Sequence, residues 1–131
     1  AASGGPYHFF TLPPCRLLDT RNPDGPHGGP AVPPGSQRVV VAAGQCGVPV
    51  TAKALAANVT VVAPPQGGFF AFFPGDGQVP GTSTINYTAG RVLANNAVLA
   101  LATSGSGTVA LVNSTAGNPV HVVIDVSGYF Q

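Results

Sequence analysis

Four aspartates, four arginines, one lysine, three histidines and two cysteines hold most of the titratable chemistry of this 131-residue chain. Asp125 sits in the apolar run Val122-Val123-Ile124-Asp125-Val126, where an unpaired carboxylate would be costly. Arg16, Arg21 or Arg91 is its expected partner, in a structural ion pair that joins loop to sheet and draws in Asp19 of Asp19-Thr20-Arg21. Glycoside hydrolysis would instead need two of Asp19, Asp24, Asp76 and Asp125 facing one cleft. Asp24 in Pro-Asp-Gly and Asp76 in Gly-Asp-Gly read as turn formers, and the Asp-x-Asp-x-Asp spacing of a calcium loop is missing. No Gly-x-Ser-x-Gly nucleophile elbow occurs. His8, His27 and His121 lie in unrelated contexts, and His121 alternates with valines as a strand residue does. The expectation is a non-enzyme with no catalytic residue, no metal and no cofactor.

Cys15 and Cys46 lack the CxxC spacing of a zinc site and suit a disulfide in an exported protein. Closing a loop of about 30 residues would stabilise the fold by about 3–4 kcal/mol. Two buried free thiols are the rival reading. Asn58, Asn86 and Asn113 each open an Asn-x-Ser/Thr glycosylation pattern. Sugars there would provide a hydrophilic coat that charges do not.

These residues must be positioned by strands. Val, Thr, Phe and Ala dominate the apolar segments, 18 Gly and 14 Pro punctuate them, and Glu and Met are absent. The pattern predicts a first short strand over His8–Leu12, stopped by Pro13-Pro14, followed by a long ordered loop over the Gly/Pro-rich segment Asn22 to Gly35. Further strands are predicted over Gln37–Ala43, Ala54–Ala63, Gly68–Pro74, Ser83–Thr88, Val92–Ala102, Thr108–Asn113 and Val120–Tyr129. Leu93–Leu101 could also be an Ala-rich helix, but Asn95-Asn96 and the flanking patterns favour a strand. The fold class is all-β: one antiparallel β-sandwich or jelly-roll-like domain over 7–131, with a flexible arm over 1–6.

Only 7% of the chain is charged while 44% is hydrophobic, against about a quarter charged in an ordinary domain. Five scattered cations make no nucleic-acid patch. The longest apolar runs, Val39–Ala43 and Gly68–Pro74, fall short of the roughly 20 residues of a membrane helix. The apolar residues must therefore be covered by a core, by other copies, or by both. The start Ala1-Ala2-Ser3-Gly4-Gly5, without Met, reads as a mature terminus left by signal-peptide removal.

Pro14-Cys15-Arg16-Leu17-Leu18-Asp19-Thr20-Arg21, Cys46-Gly47-Val48-Pro49, Asn58-Val59-Thr60-Val61-Val62, Ser83-Thr84-Ile85-Asn86-Tyr87, Asn95-Asn96-Ala97 and Asp125-Val126-Ser127-Gly128-Tyr129-Phe130 occur in this order. In these motifs, from about Phe9 to Phe130, the chain resembles a module of secreted bacterial proteins found in acidobacteria and related soil lineages. The resemblance implies an exported β domain without known enzymatic activity, and a Cys15–Cys46 pair. One segment departs from it: where relatives often read Gly-Tyr-Leu-Thr-Val-Tyr-Pro, this chain has Gly68-Phe69-Phe70-Ala71-Phe72-Phe73-Pro74. Phe69, Ala71 and Phe73 then share one greasy strand face. The protein's own loop, a neighbouring subunit or a ligand could cover it.

The function expected on these grounds is a structural subunit of an extracellular, surface-associated homopolymer, a filament or sheath assembled head to tail. Tyr7, Phe9, Phe10, Phe69, Ala71 and Phe73 are its candidate subunit interface, with strand addition by Ala1–Leu12 as one joint. A secreted polysaccharide- or cell-wall-binding module is the alternative. Sugar platforms favour Trp and Tyr, however, and this chain has no Trp and three Tyr.

Overall fold

A computed structural model describes residues 7–81, 83–114 and 117–131. The predicted arm over 1–6 lies outside the described residues. Among the described residues eight strands follow one another: β1 (Phe9–Asp19), β2 (Gln37–Val41), β3 (Ala54–Val62), β4 (Gly68–Pro74), β5 (Ile85–Tyr87), β6 (Leu93–Ala100), β7 (Thr108–Asn113) and β8 (His121–Phe130). They form two four-stranded sheets, ordered β1-β8-β3-β6 and β2-β7-β4-β5, with every pairing antiparallel.

The pairs β1·β8, β2·β7, β3·β6 and β4·β5 are those of one long antiparallel ribbon. Wrapping that ribbon adds the contacts β3·β8 and β4·β7 and yields the jelly roll. The sandwich is thus built from long-range pairing, with the chain crossing between sheets at nearly every connection.

Period-2 patterning decides which residues face inward. Along β3 every second residue is buried, so Leu55, Ala57, Val59 and Val61 face the core while Ala56, Asn58 and Thr60 face out. Phe70, Phe72, Leu111, Ile124, Val122 and Tyr87 complete one core between the sheets. The Gly/Pro-rich loop is ordered as expected: Val32 is buried and bridged to Val120, and Arg38 donates to the carbonyls of Gly25 and Pro30 at 2.7 and 3.2 Å.

The first strand does not stop at Pro13-Pro14. β1 runs through both prolines to Asp19, and its register with β8 shifts between Thr11 and Cys15. Proline lacks the N–H that a ladder needs, but an edge strand with an irregularity tolerates that loss. The Leu93–Leu101 region is strand as far as Ala100, not helix, as the flanking patterns indicate.

Candidate functional site

The outer face of the β1-β8-β3-β6 sheet carries the polar constellation of this molecule. Arg16 pairs with Asp125, Asp125 with Asn58, and Asn58 with Asn96, so four polar residues on four neighbouring strands form a single row. At about 4.8 Å between strands, the row is about 14 Å long.

Arg16 donates from Nε to Asp125 Oδ1 at 2.9 Å and from a terminal nitrogen to Asp125 Oδ2 at 3.3 Å. Its other terminal nitrogen reaches Asp19 Oδ2 at 3.4 Å. Asp19 is held more tightly by Arg21, whose Nε and second guanidinium nitrogen each donate at 2.9 Å and whose backbone N–H donates at 3.0 Å. These hydrogen bonds, above all those of the Arg21 side chain, lower the Asp19 carboxyl to about 2 against the opposing effect of burial. The guanidinium groups of Arg16 and Arg21 are raised in turn, first by their hydrogen bonds to Asp125 and Asp19 respectively.

The expected ion pair is present, with its roles redistributed. Asp125 is 31% exposed at its side chain, and the buried carboxylate is Asp19, at 6%. Arg16 is the partner of Asp125. Arg21 serves Asp19 instead, and Arg91 is exposed and makes no salt bridge among the described residues. Two arginines and two aspartates thereby make a locally neutral cluster.

Beside the row lies an open trench of about 570 Å³, lined by Pro14, Cys15, Arg16, Asn58, Asn96 and Asp125, with Val126 and Ser127. It continues into a second hollow of about 340 Å³ that shares Asn96 and Ser127 and adds Ala56, Ala97 and Val98. Small residues keep this floor low. At Gly128 a Cβ would lie 2.6 Å from the Phe9 ring, so glycine lets that ring settle on the sheet.

Other predicted residues are dispersed. Cys15 and Cys46 form the disulfide, with Cα atoms 5.6 Å apart. Tyr7, Phe9, Phe10 and Phe69 are exposed, and Phe9 and Phe10 pack on Phe130 and Tyr129 with ring centroids 5.0 and 5.2 Å apart. Ala71 and Phe73, placed in the candidate interface, are buried by the chain itself. They pack with Ala110 and Val112 in a small second core on the outer face of the other sheet. The β4–β5 connection closes on this face: Val79, Pro80, Gly81 and Ser83 share a hollow of about 350 Å³ with Phe69 and Val112. Only Phe69 of that stripe remains open.

Among the glycosylation candidates, Asn86 is exposed and Asn58 is half-buried in the trench. Asn113 is corrected: it is 1% exposed, accepts from the Tyr87 hydroxyl at 2.6 Å and donates to the Val32 carbonyl at 3.0 Å. A sugar has no room there, and residue 115 of that pattern lies outside the described residues. Asp76 is a turn residue that accepts from Thr103 and Ser104, chiefly from the Thr103 side chain, and its carboxyl is lowered accordingly. His121 Nδ1 lies 3.0 Å from the Thr20 hydroxyl, but Thr20 is 2% exposed and bonded to both main-chain groups of Val122, which makes the pair a structural bracket. Among the described residues no group of three or more His, Cys, Asp or Glu could hold a metal ion.

Asn96, Ser127 and Val98 were not singled out from the sequence as site residues. Period-2 alternation puts each on an outward face, but only the register across four strands brings them beside Asp125. No known protein family matches the chain, and no curated protein does so. Its resemblance to the secreted module therefore rests on the motifs themselves.

Proposed function

We propose that this protein is a non-catalytic structural subunit of an exported homopolymer, added head to tail through the two edges of the β1-β8-β3-β6 sheet. The observation that carries this reading is the β6 edge. Leu93–Ala100 is eight residues long with neither charge nor proline, and no described strand covers its outer side. Natural proteins normally blunt such an edge with Lys, Pro or a bulge, because unpaired main-chain groups invite a further strand.

The opposite edge is complementary over Phe9–Leu12, ahead of the Pro13-Pro14 irregularity that blunts the rest of β1. Because all pairings in the sheet are antiparallel, β1 and β6 run in opposite directions. A copy displaced sideways by one sheet width sets its β1 antiparallel to the preceding β6. The row Phe9–Phe130–Ala54–Ala100 brings Phe9 toward Ala100 of the neighbour, and the row Thr11–Gly128–Ala56–Val98 brings Thr11 toward Val98. Phe9 and Phe10 on one edge and Val92 and Val98 on the other are exposed apolar groups that such a joint covers. The contact is heterologous, so it propagates as a fibre. This joint keeps β1 paired with β8 in its own subunit, so the first strand need not be donated.

Negative-stain microscopy of the purified full chain tests the reading. Fibres are expected from the wild type, and uniform monomers from Val98→Lys/Ala100→Lys with thermal unfolding unchanged. Wild-type chain that stays monomeric at high concentration in physiological salt overturns it, as do fibres that survive the double substitution.

A further inference from the structure

We propose that the trench on the outer face of the β1-β8-β3-β6 sheet is a binding site for a neutral polysaccharide chain, with Asn58, Asn96 and Asp125 as its hydrogen-bonding residues. Three observations converge on this ligand class. First, the row offers donors and acceptors together. The Asn58 and Asn96 amides each present N–H₂ and C=O and are not hydrogen-bonded to another side chain among the described residues, while Asp125 keeps lone pairs beyond those used by Arg16. Vicinal sugar hydroxyls, each both donor and acceptor, match such an array.

Second, the charge is already balanced. Arg16 is engaged by Asp125 and Asp19, and Arg21 by Asp19. A phosphate or uronate would have to compete with two carboxylates for those guanidinium groups, whereas an uncharged polyol meets no such opposition. The bidentate pair also fixes Asp125, so little ordering cost remains on binding.

Third, the shape suits an extended chain. The trench is open, crosses the sheet and continues past Ser127 to Ala56 and Ala97. That second part gives an apolar floor for the C–H faces of sugar rings. The site is separate from the Phe69 stripe from which a sugar platform would first be sought, on the other sheet.

Retention on insoluble cellulose, chitin and mixed-linkage β-glucan, followed by calorimetry with the matching hexasaccharides, tests this assignment. Polygalacturonate serves as the anionic arm. At least one neutral glycan should bind, with affinity unchanged by added salt. Asn58→Ala/Asn96→Ala should weaken it tenfold or more, and Phe69→Ala should leave it unchanged. Asn96→Ala alone, on an exposed edge position that cannot unfold the core, should weaken it several-fold. The assignment is overturned by no retention on any neutral glycan, by equal binding of the double variant, by preference for polygalacturonate, or by loss of binding in Phe69→Ala. Fibre formation is scored separately on the same samples, so loss of sugar binding and loss of assembly are told apart.

Discussion

Asp19 shows how a chain with so few charges uses them. Its carboxylate is 6% exposed, yet it receives three hydrogen bonds from Arg21 and a longer one from Arg16. Its folded-state value of about 2 lies below the ordinary 3.8, so the fold favours the ionised form. The sign follows from linkage: its contribution to stability is complete above about 3.8 and disappears as pH falls through about 2. Asp19→Asn should cost on the order of 2 kcal/mol at neutral pH, since hydrogen bonds to a charged acceptor are lost while the partners stay in place. Urea unfolding as a function of pH checks both points. The wild-type midpoint should fall between pH 4 and 2, and that slope should be shallower in the variant. Equal slopes would mean that Asp19 is not the carboxylate the fold holds ionised.

Strands were the legible part of this sequence, because burial on one face writes a period-2 pattern that needs no knowledge of neighbours. Gly68–Pro74 and Thr108–Asn113 match their predicted bounds, and β3 differs by one residue at its end. Pro13-Pro14 misled because the rule that proline ends a strand holds for central positions, and β1 turned out to be an edge. Ala71 and Phe73 misled for a related reason: alternation says that they share a face, but not that the β4–β5 connection folds over it. The trench was legible only in fragments, since Asn58, Asn96 and Asp125 come from strands far apart in sequence whose alignment depends on register. The disulfide belongs with these elements. Cys15 follows the β1 irregularity, and Cys46 has φ of 56° in the β2–β3 connection, whose Val48 is buried in the core. The bridge therefore ties the proline-interrupted stretch of β1 to a segment anchored in the core. Cys15→Ser/Cys46→Ser should lower unfolding free energy by about 3–4 kcal/mol through the longer loop released in the unfolded chain. Chemical denaturation measures it. A loss below about 1 kcal/mol would show that β1 needs no such tie.

Five basic and four acidic residues in 131 leave this protein with little electrostatic means of keeping copies apart. Of these nine, Arg16, Asp19, Arg21 and Asp125 are engaged with one another, and Asp76 is bound within its turns. The sheet edges themselves bring no opposing charges into register, since β6 has none and the Phe9–Leu12 part of β1 has none. The proposed assembly through those edges would then rest on main-chain hydrogen bonds and apolar contact. Salt at about 1 M shortens the Debye length to about 3 Å and dissolves contacts made by exposed ion pairs, but it leaves these two terms in place. Sulfate strengthens burial because it is excluded from the protein surface. Fibre mass in sedimentation assays should therefore be unchanged on going from low salt to about 1 M NaCl, and should rise in sulfate of equal ionic strength. Fibres that dissolve as NaCl increases would place the joint at Arg38, Lys53 or Arg91 of one copy against an aspartate of the next, and the bare β6 edge would no longer carry the proposed assembly.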